Sequence, residues 1–159
     1  MANYNQSSRK AIRDINQGIV VTKSSASCAA TATVDLFEIT GGHIMVLGLV
    51  GVWDGAAQAA ATTIALGANP TTGTATALGT ASASQSGKAE GSMLTMASDL
   101  GQVESSTNQG AALIDAMPRV FVRGPGKIQM TVAGATNTQT ITWHLIYVPV
   151  ENDAAVAAA

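Results

Sequence analysis

The residues with chemical potential in this 159-residue chain are few and scattered. His43 and His144 are its two histidines, one in a Gly-rich turn and one within an apolar run, and neither has a second ligand at i+2 or i+4. A metal site would have to recruit Asp or Glu from distant segments, so no metal or other cofactor is expected. Cys28 is the only cysteine, which excludes an intramolecular disulfide. A catalytic thiol would need a histidine partner, whereas a small buried apolar residue needs none. Asp35 and Glu38 lie on opposite faces of a strand with strict alternation, which argues against an acid/base pair. Gly87-Lys88 lacks the upstream glycine and following hydroxyl of a phosphate loop, and Gly124-Pro125-Gly126-Lys127 has proline where a backbone N–H is required. Both read as turns. No nucleophile-elbow pattern is present, and Trp53 and Trp143 sit on apolar strands as core or interface residues. The expectation is a chain with no enzymatic activity.

The elements that would position these residues are strands. Ile44 to Trp53, IMVLGLVGVW, follows Gly41-Gly42 and stops at Asp54-Gly55. As a strand it carries Ile44, Val46, Val50 and Val52 on one face and Met45, Leu47, Leu49 and Trp53 on the other. Both faces are apolar, so both must be covered, and Gly48 and Gly51 leave room for a close neighbour. One face is expected to meet the opposite sheet. The face with Met45, Leu47, Leu49 and Trp53 is expected to serve self-association.

Further strands are expected at Gly18–Ser24, Thr31–Ile39, Thr62–Leu66, Thr74–Leu78, Ser92–Ala97, Ile128–Val132 and Thr140–Val150. Thr31–Ile39 and the Ile44 strand, joined through Thr40 to His43, read as a hairpin. In the last strand Ile141, Trp143, Leu145 and Tyr147 share a face. Eight to ten short strands without a long helix predict an all-β fold, an antiparallel sandwich or jelly roll spanning 18–150. Residues 1–17 read as an N-terminal arm that orders on contact, with Ile12 and Ile15 on one side of a helical turn or two. Residues 151–159 read as a C-terminal tail with nothing to pack.

Charged residues make up 11 % of the chain and aromatic residues 4 %, while Ala, Gly, Ser and Thr fill the middle. A surface so poor in charge suits a protein buried among copies or partners. The net charge of −2 is uneven: residues 1–23 hold Arg9, Lys10, Arg13 and Lys23 against Asp14, and the rest is acidic. The basic arm is suited to docking on an acidic surface, with Arg9, Lys10 and Arg13 as the docking residues. Clustered basic residues interleaved with aromatics, which nucleic-acid binding would need, are missing. The N-terminal stretch lacks the apolar core of a signal peptide and no segment reaches membrane-spanning length. Synthesis in the cytoplasm, without export by the general route and without a membrane role, is the expectation.

Several stretches together resemble a group of small virion proteins of tailed bacteriophages. They are GIVVTK near the start, DLFEITGGHIMVLGLVGVW, an Ala/Thr-rich middle with NPTTG, GKIQMTVAGA, and TITWHLIYVPV before an acidic Ala/Val-rich tail. The resemblance implies a structural protein on the capsid surface of the virion, of the decoration or cement type. It would have a β-sandwich body, assemble as a homotrimer and have the major capsid protein as its partner. A tail, neck or fibre component and a carbohydrate-binding sandwich are the alternative readings. The last of these requires exposed tryptophans.

Overall fold

The computed structural model describes residues 17–96, 104–106 and 119–159, the middle segment by its backbone. Within them the chain forms eleven strands. These are β1 (Ile19–Ser27), β2 (Thr33–Thr40), β3 (Ile44–Asp54), β4 (Thr62–Pro70), β5 (Thr76–Ala77), β6 (Met93–Thr95), β7 (Glu104–Ser106), β8 (Val120–Val122), β9 (Gly126–Gly134), β10 (Thr140–Pro149) and β11 (Ala155–Ala158). One sheet has the order β1-β10-β3-β6-β7, with β8 also paired to β3; the other has the order β11-β2-β9-β4-β5. All pairings are antiparallel.

The pairings are nested: β1 with β10, β2 with β9, β3 with β8 and β4 with β5. A long antiparallel ribbon rolled so that successive strands alternate between two sheets is a jelly roll. The β6–β7 hairpin is added on the same edge of β3 as β8. The expected all-β sandwich is therefore what the sequence forms.

Rolling overturns the expected hairpin between Thr31–Ile39 and Ile44–Trp53. β2 pairs with β9 and β11, and β3 pairs with β10, β6 and β8, so the turn at Gly41-Gly42 crosses from one sheet to the other. Gly41 has a φ of 74°, and a Cβ there would lie against the Asp153 carbonyl. The tight turn read from the sequence exists, but it passes under the last loop and does not fold β3 back on β2.

Of three register shifts, one of them in β1 between Lys23 and Ala26, the bulges in β2 and β3 matter most for which side chains face the interior. In β2, Asp35 pairs with Gln129 and Phe37 with Ile128, which leaves Leu36 extra. In β3, Gly48 pairs with Ile146 and Val46 with Tyr147, which leaves Leu47 extra. Each extra residue reverses the alternation beyond it. The interior set of β3 is thus Ile44 and Val46 on one side of the bulge and Leu49, Gly51 and Trp53 on the other, and all four side chains are buried. They meet Leu36, Phe37 and Ile39 of β2, Ile64 and Leu66 of β4, and Ile128, Met130 and Val132 of β9 in one core. On β10 the inward residues are Ile141, Trp143, Leu145 and Tyr147, as the pattern predicts. Gly51 is where the Trp143 ring comes close: a Cβ on it would stand 2.9 Å from Ile141 Cγ2 and from Trp143 Cζ3.

The Ala/Thr-rich middle packs as an irregular cover along the free edge of β4. Leu78, Ser82 and Gln85 donate backbone N–H groups to the carbonyls of Leu66, Ile64 and Thr62, and Gly87 donates to Gln58. An open edge is thereby satisfied without a regular strand.

Residues 151–159 are not a loose tail. Ala155–Ala158 extends the second sheet as β11 on β2, Val156 packs against the core, and Ala154 is buried. The strand also bridges to the other sheet, because Val156 N–H donates to Tyr147 Oη at 3.3 Å and Lys23 Nζ donates to the Ala159 oxygen. The sandwich therefore extends to residue 158, beyond the expected boundary at 150.

Candidate functional site

The chemical residues singled out in the sequence are dispersed by the fold. His43 Nδ1 accepts the Gly124 N–H at 3.3 Å, its Nε2 lies 3.9 Å from Glu151 Oε1, and its ring meets Phe121 edge-on at 5.3 Å. His144 Nδ1 is 3.0 Å from Thr22 Oγ1 in the middle of the six-stranded sheet. No group of three or more possible metal ligands occurs among the described residues.

Cys28 is fully buried in the core and its thiol pKa is pushed up to about 12 by burial. A thiol so desolvated forms almost no thiolate near neutrality. In the native protein Cys28 should not react with an aromatic disulfide reagent, and one equivalent should react on unfolding. Fast native-state labelling would contradict this placement.

Asp35 and Glu38 share the outer face of the second sheet, contrary to the expectation of opposite faces. The bulge at Leu36 supplies the missing half-period, so Asp35 pairs with Gln129 and Glu38 with Lys127. Asp35 Oδ2 accepts from Lys127 Nζ at 2.5 Å and its Oδ1 accepts from Gln129 Nε2 at 2.6 Å. The hydrogen bond from Lys127 and then that from Gln129 hold the Asp35 carboxyl below its ordinary range. A carboxylate with a depressed folded pKa stabilises above the unfolded pKa of about 3.9 and loses that contribution as pH falls through the folded value. Both side chains are more than a third exposed, so the effect is small. Asp35→Asn should lower the melting temperature slightly at neutral pH and converge on the wild type in acid below about pH 4, so that its acid limb is shallower. An unaltered acid limb would contradict the pairing.

The outer faces of the two sheets differ in kind. That of the second sheet is polar, with Asp35, Glu38, Lys127, Gln129 and Thr131 turned outward by their register. At one end of it an open groove of about 460 Å³ is lined by Glu38, Thr40, Asn69, Thr71, Lys127 and Gln129, among others. The groove has no aromatic side chain for a sugar to stack on. Trp53 and Trp143 are both fully buried, so the exposed tryptophans that a carbohydrate-binding module requires are not these.

On the outer face of the six-stranded sheet the rows of β3 and β10 are largely apolar. β10 turns Thr142, His144, Ile146 and Val148 to it and β3 Met45, Leu47 and Val52, all half-buried, with Val50 buried among them. No Lys, Arg, Asp or Glu interrupts these two rows until Asp54 at the rim, which accepts from Thr142 Oγ1 at 2.6 Å. Val20 on β1 and Phe121 on β8 flank the rows and are 59 % and 56 % exposed.

Known families, curated proteins and solved structures yield no match to this chain. Its site must be judged on geometry.

Of the four residues expected to serve self-association, Met45 and Leu47 lie on the apolar outer face and are half-buried. Leu49 and Trp53 do not join them, because the bulge at Leu47 turns both into the core. Sequence reasoning missed Val20 and Phe121, the most exposed apolar residues of this face. The alternation of GIVVTK and RVFVR holds the signal for both, once it is known which face is the core. Arg9, Lys10 and Arg13 lie outside the described residues. Also missed were the buried amides at the end of the sandwich: Gln139 Nε2 donates to the carbonyls of Gly55 at 2.9 Å and Lys88 at 3.1 Å, pinning three loops together. Among the described residues no helix is long and apolar enough to cross a membrane.

Proposed function

We propose that this chain is a non-enzymatic structural protein of a bacteriophage particle, a decoration or cement protein that binds across subunits of the capsid as a homo-oligomer. The observation that carries the proposal is the uncharged, largely apolar stretch that β3 and β10 form on the outer face of the six-stranded sheet, set against a polar face on the other sheet. Apolar rows flanked by exposed side chains such as Val20 and Phe121 mark a protein contact, and a protein neighbour covers them at little desolvation cost because they hold few charges. The jelly roll adds support at the level of fold class, since virus capsid domains use it, although lectins and cupins use it too. The stretches that resemble phage virion proteins map onto β1, β2–β3, the end of β4 with the turn after it, β9, β10 and β11.

A homotrimer would suit threefold positions on a capsid and gain affinity by engaging several subunits at once. The major capsid protein is the partner in this reading. A tail, neck or fibre component would use the same apolar face, so location on the particle separates the two. Antibody labelling of intact particles should decorate the shell; label confined to the tail or neck would overturn the proposal.

A further inference from the structure

We infer that the outer face of β3 and β10 is a pH-gated contact between copies of this chain, with His144 as the gate. This rests on the association reading above and adds a regulation to that face. His144 lies midway along β10, between its register partners Thr22 of β1 and Val50 of β3, and is half-buried. Its neighbours on the face are Val20 and Thr22 on β1, Thr142 and Ile146 on β10, and Val50 on β3. Among the described residues no carboxylate pairs with it. Lys23 follows Thr22 but is turned to the other side, where its Nζ donates to the Ala159 oxygen. Asp54 stands at the end of β3, opposite Thr140, and accepts from Thr142 Oγ1. Glu104 of β7 is three strands away.

The Thr22 hydroxyl, 3.0 Å from His144 Nδ1, can donate to a neutral ring or accept from a protonated one. In the isolated molecule either form is therefore accommodated, with water completing the shell of the charged ring. In a contact between copies that water gives way to apolar side chains, and a neutral hydroxyl does not compensate a cation, so burying the charged ring is costly. The occupant is a second copy because the two rows carry no charge and meet their own duplicate without like-charge contact. The outer face of the second sheet, with Asp35, Glu38 and Lys127, has no such freedom.

The sign follows. The associated state holds fewer protons than the free one, so association is complete where histidine is neutral and is lost as pH falls through the range in which histidine gains charge, about pH 8 to 5. The steepest dependence is about tenfold per pH unit for each histidine buried. His43 does not share this role, because Glu151 Oε1 lies 3.9 Å from its Nε2 and offsets a charge there.

Sedimentation equilibrium of the full-length protein at pH 8 and pH 5, at fixed ionic strength, tests the gate. The wild-type association constant should fall by about tenfold or more between the two, with far-UV circular dichroism unchanged. His144→Gln should associate almost equally at both, His43→Gln should keep the wild-type dependence, and His144→Lys should be monomeric at both. Equal wild-type association at the two pH values, a pH dependence that survives His144→Gln, or a loss that accompanies unfolding would overturn the gate and leave the face as a contact. A wild type monomeric at every pH would overturn the gate together with self-association through this face.

Discussion

Trp143→Ala should lower the unfolding free energy by about 3–5 kcal/mol, the range for truncating a large buried aromatic. The indole is fully buried and lies across Gly51 of the adjacent strand β3. Gly51→Ala should be destabilising by about 1–3 kcal/mol for the opposite reason, since its new methyl group would press on Ile141 and on that ring. The two sites are therefore coupled. In the double variant the methyl group enters space the indole has vacated, and the combined loss should be smaller than the sum by about 1 kcal/mol or more. Urea unfolding of the four proteins measures the cycle. Strict additivity would mean that the ring does not rest on Gly51.

Phe121→Glu combined with Val20→Asp should leave the sandwich folded but weaken assembly by about thirtyfold or more, as expected when an interface loses an aromatic anchor worth about 2 kcal/mol. Both side chains are more than half exposed, so the monomer has little to lose beyond the edge contact of Phe121 with His43. In an apolar interface each would place an unpaired carboxylate among neutral side chains. Thr131→Asp, on the exposed polar face of the second sheet, is the matched control and should change neither folding nor assembly. Light scattering at micromolar concentration reads the oligomer, and co-sedimentation with capsids reads attachment. Equal behaviour of the double variant and the control would remove the outer face from any role in association.

Much of the fold was legible because strand alternation is a local property. Ile141, Trp143, Leu145 and Tyr147 could be assigned to one face from their spacing, and the strand expected at Thr62–Leu66 is the first half of β4, whose continuation Gly67-Ala68 pairs with Thr76-Ala77 of the strand expected at Thr74–Leu78. What escaped depends on registers that a single strand does not encode. A bulge arises from the fit between two strands, and nothing in DLFE or VLGL marks Leu36 or Leu47 as the extra residue. Those two positions account for the misplaced Leu49 and Trp53 and for the pairing of Asp35 with Lys127. AVAA has neither bulk nor alternation to advertise a strand; it becomes one because Tyr147 and Lys23 hold it against β2. The candidate site was half legible. The apolar run at Ile44 announced a surface in need of cover, but its composition depends on β1, β8 and β10 lying alongside.

The proposed decoration role is tested most directly by adding the purified protein to phage capsids that lack it. The account predicts saturable binding at a stoichiometry set by the symmetry of the shell, together with a higher melting temperature of the decorated particle. Protein that remains in the supernatant at saturating concentration, with the melting temperature of the shell unchanged, would contradict it.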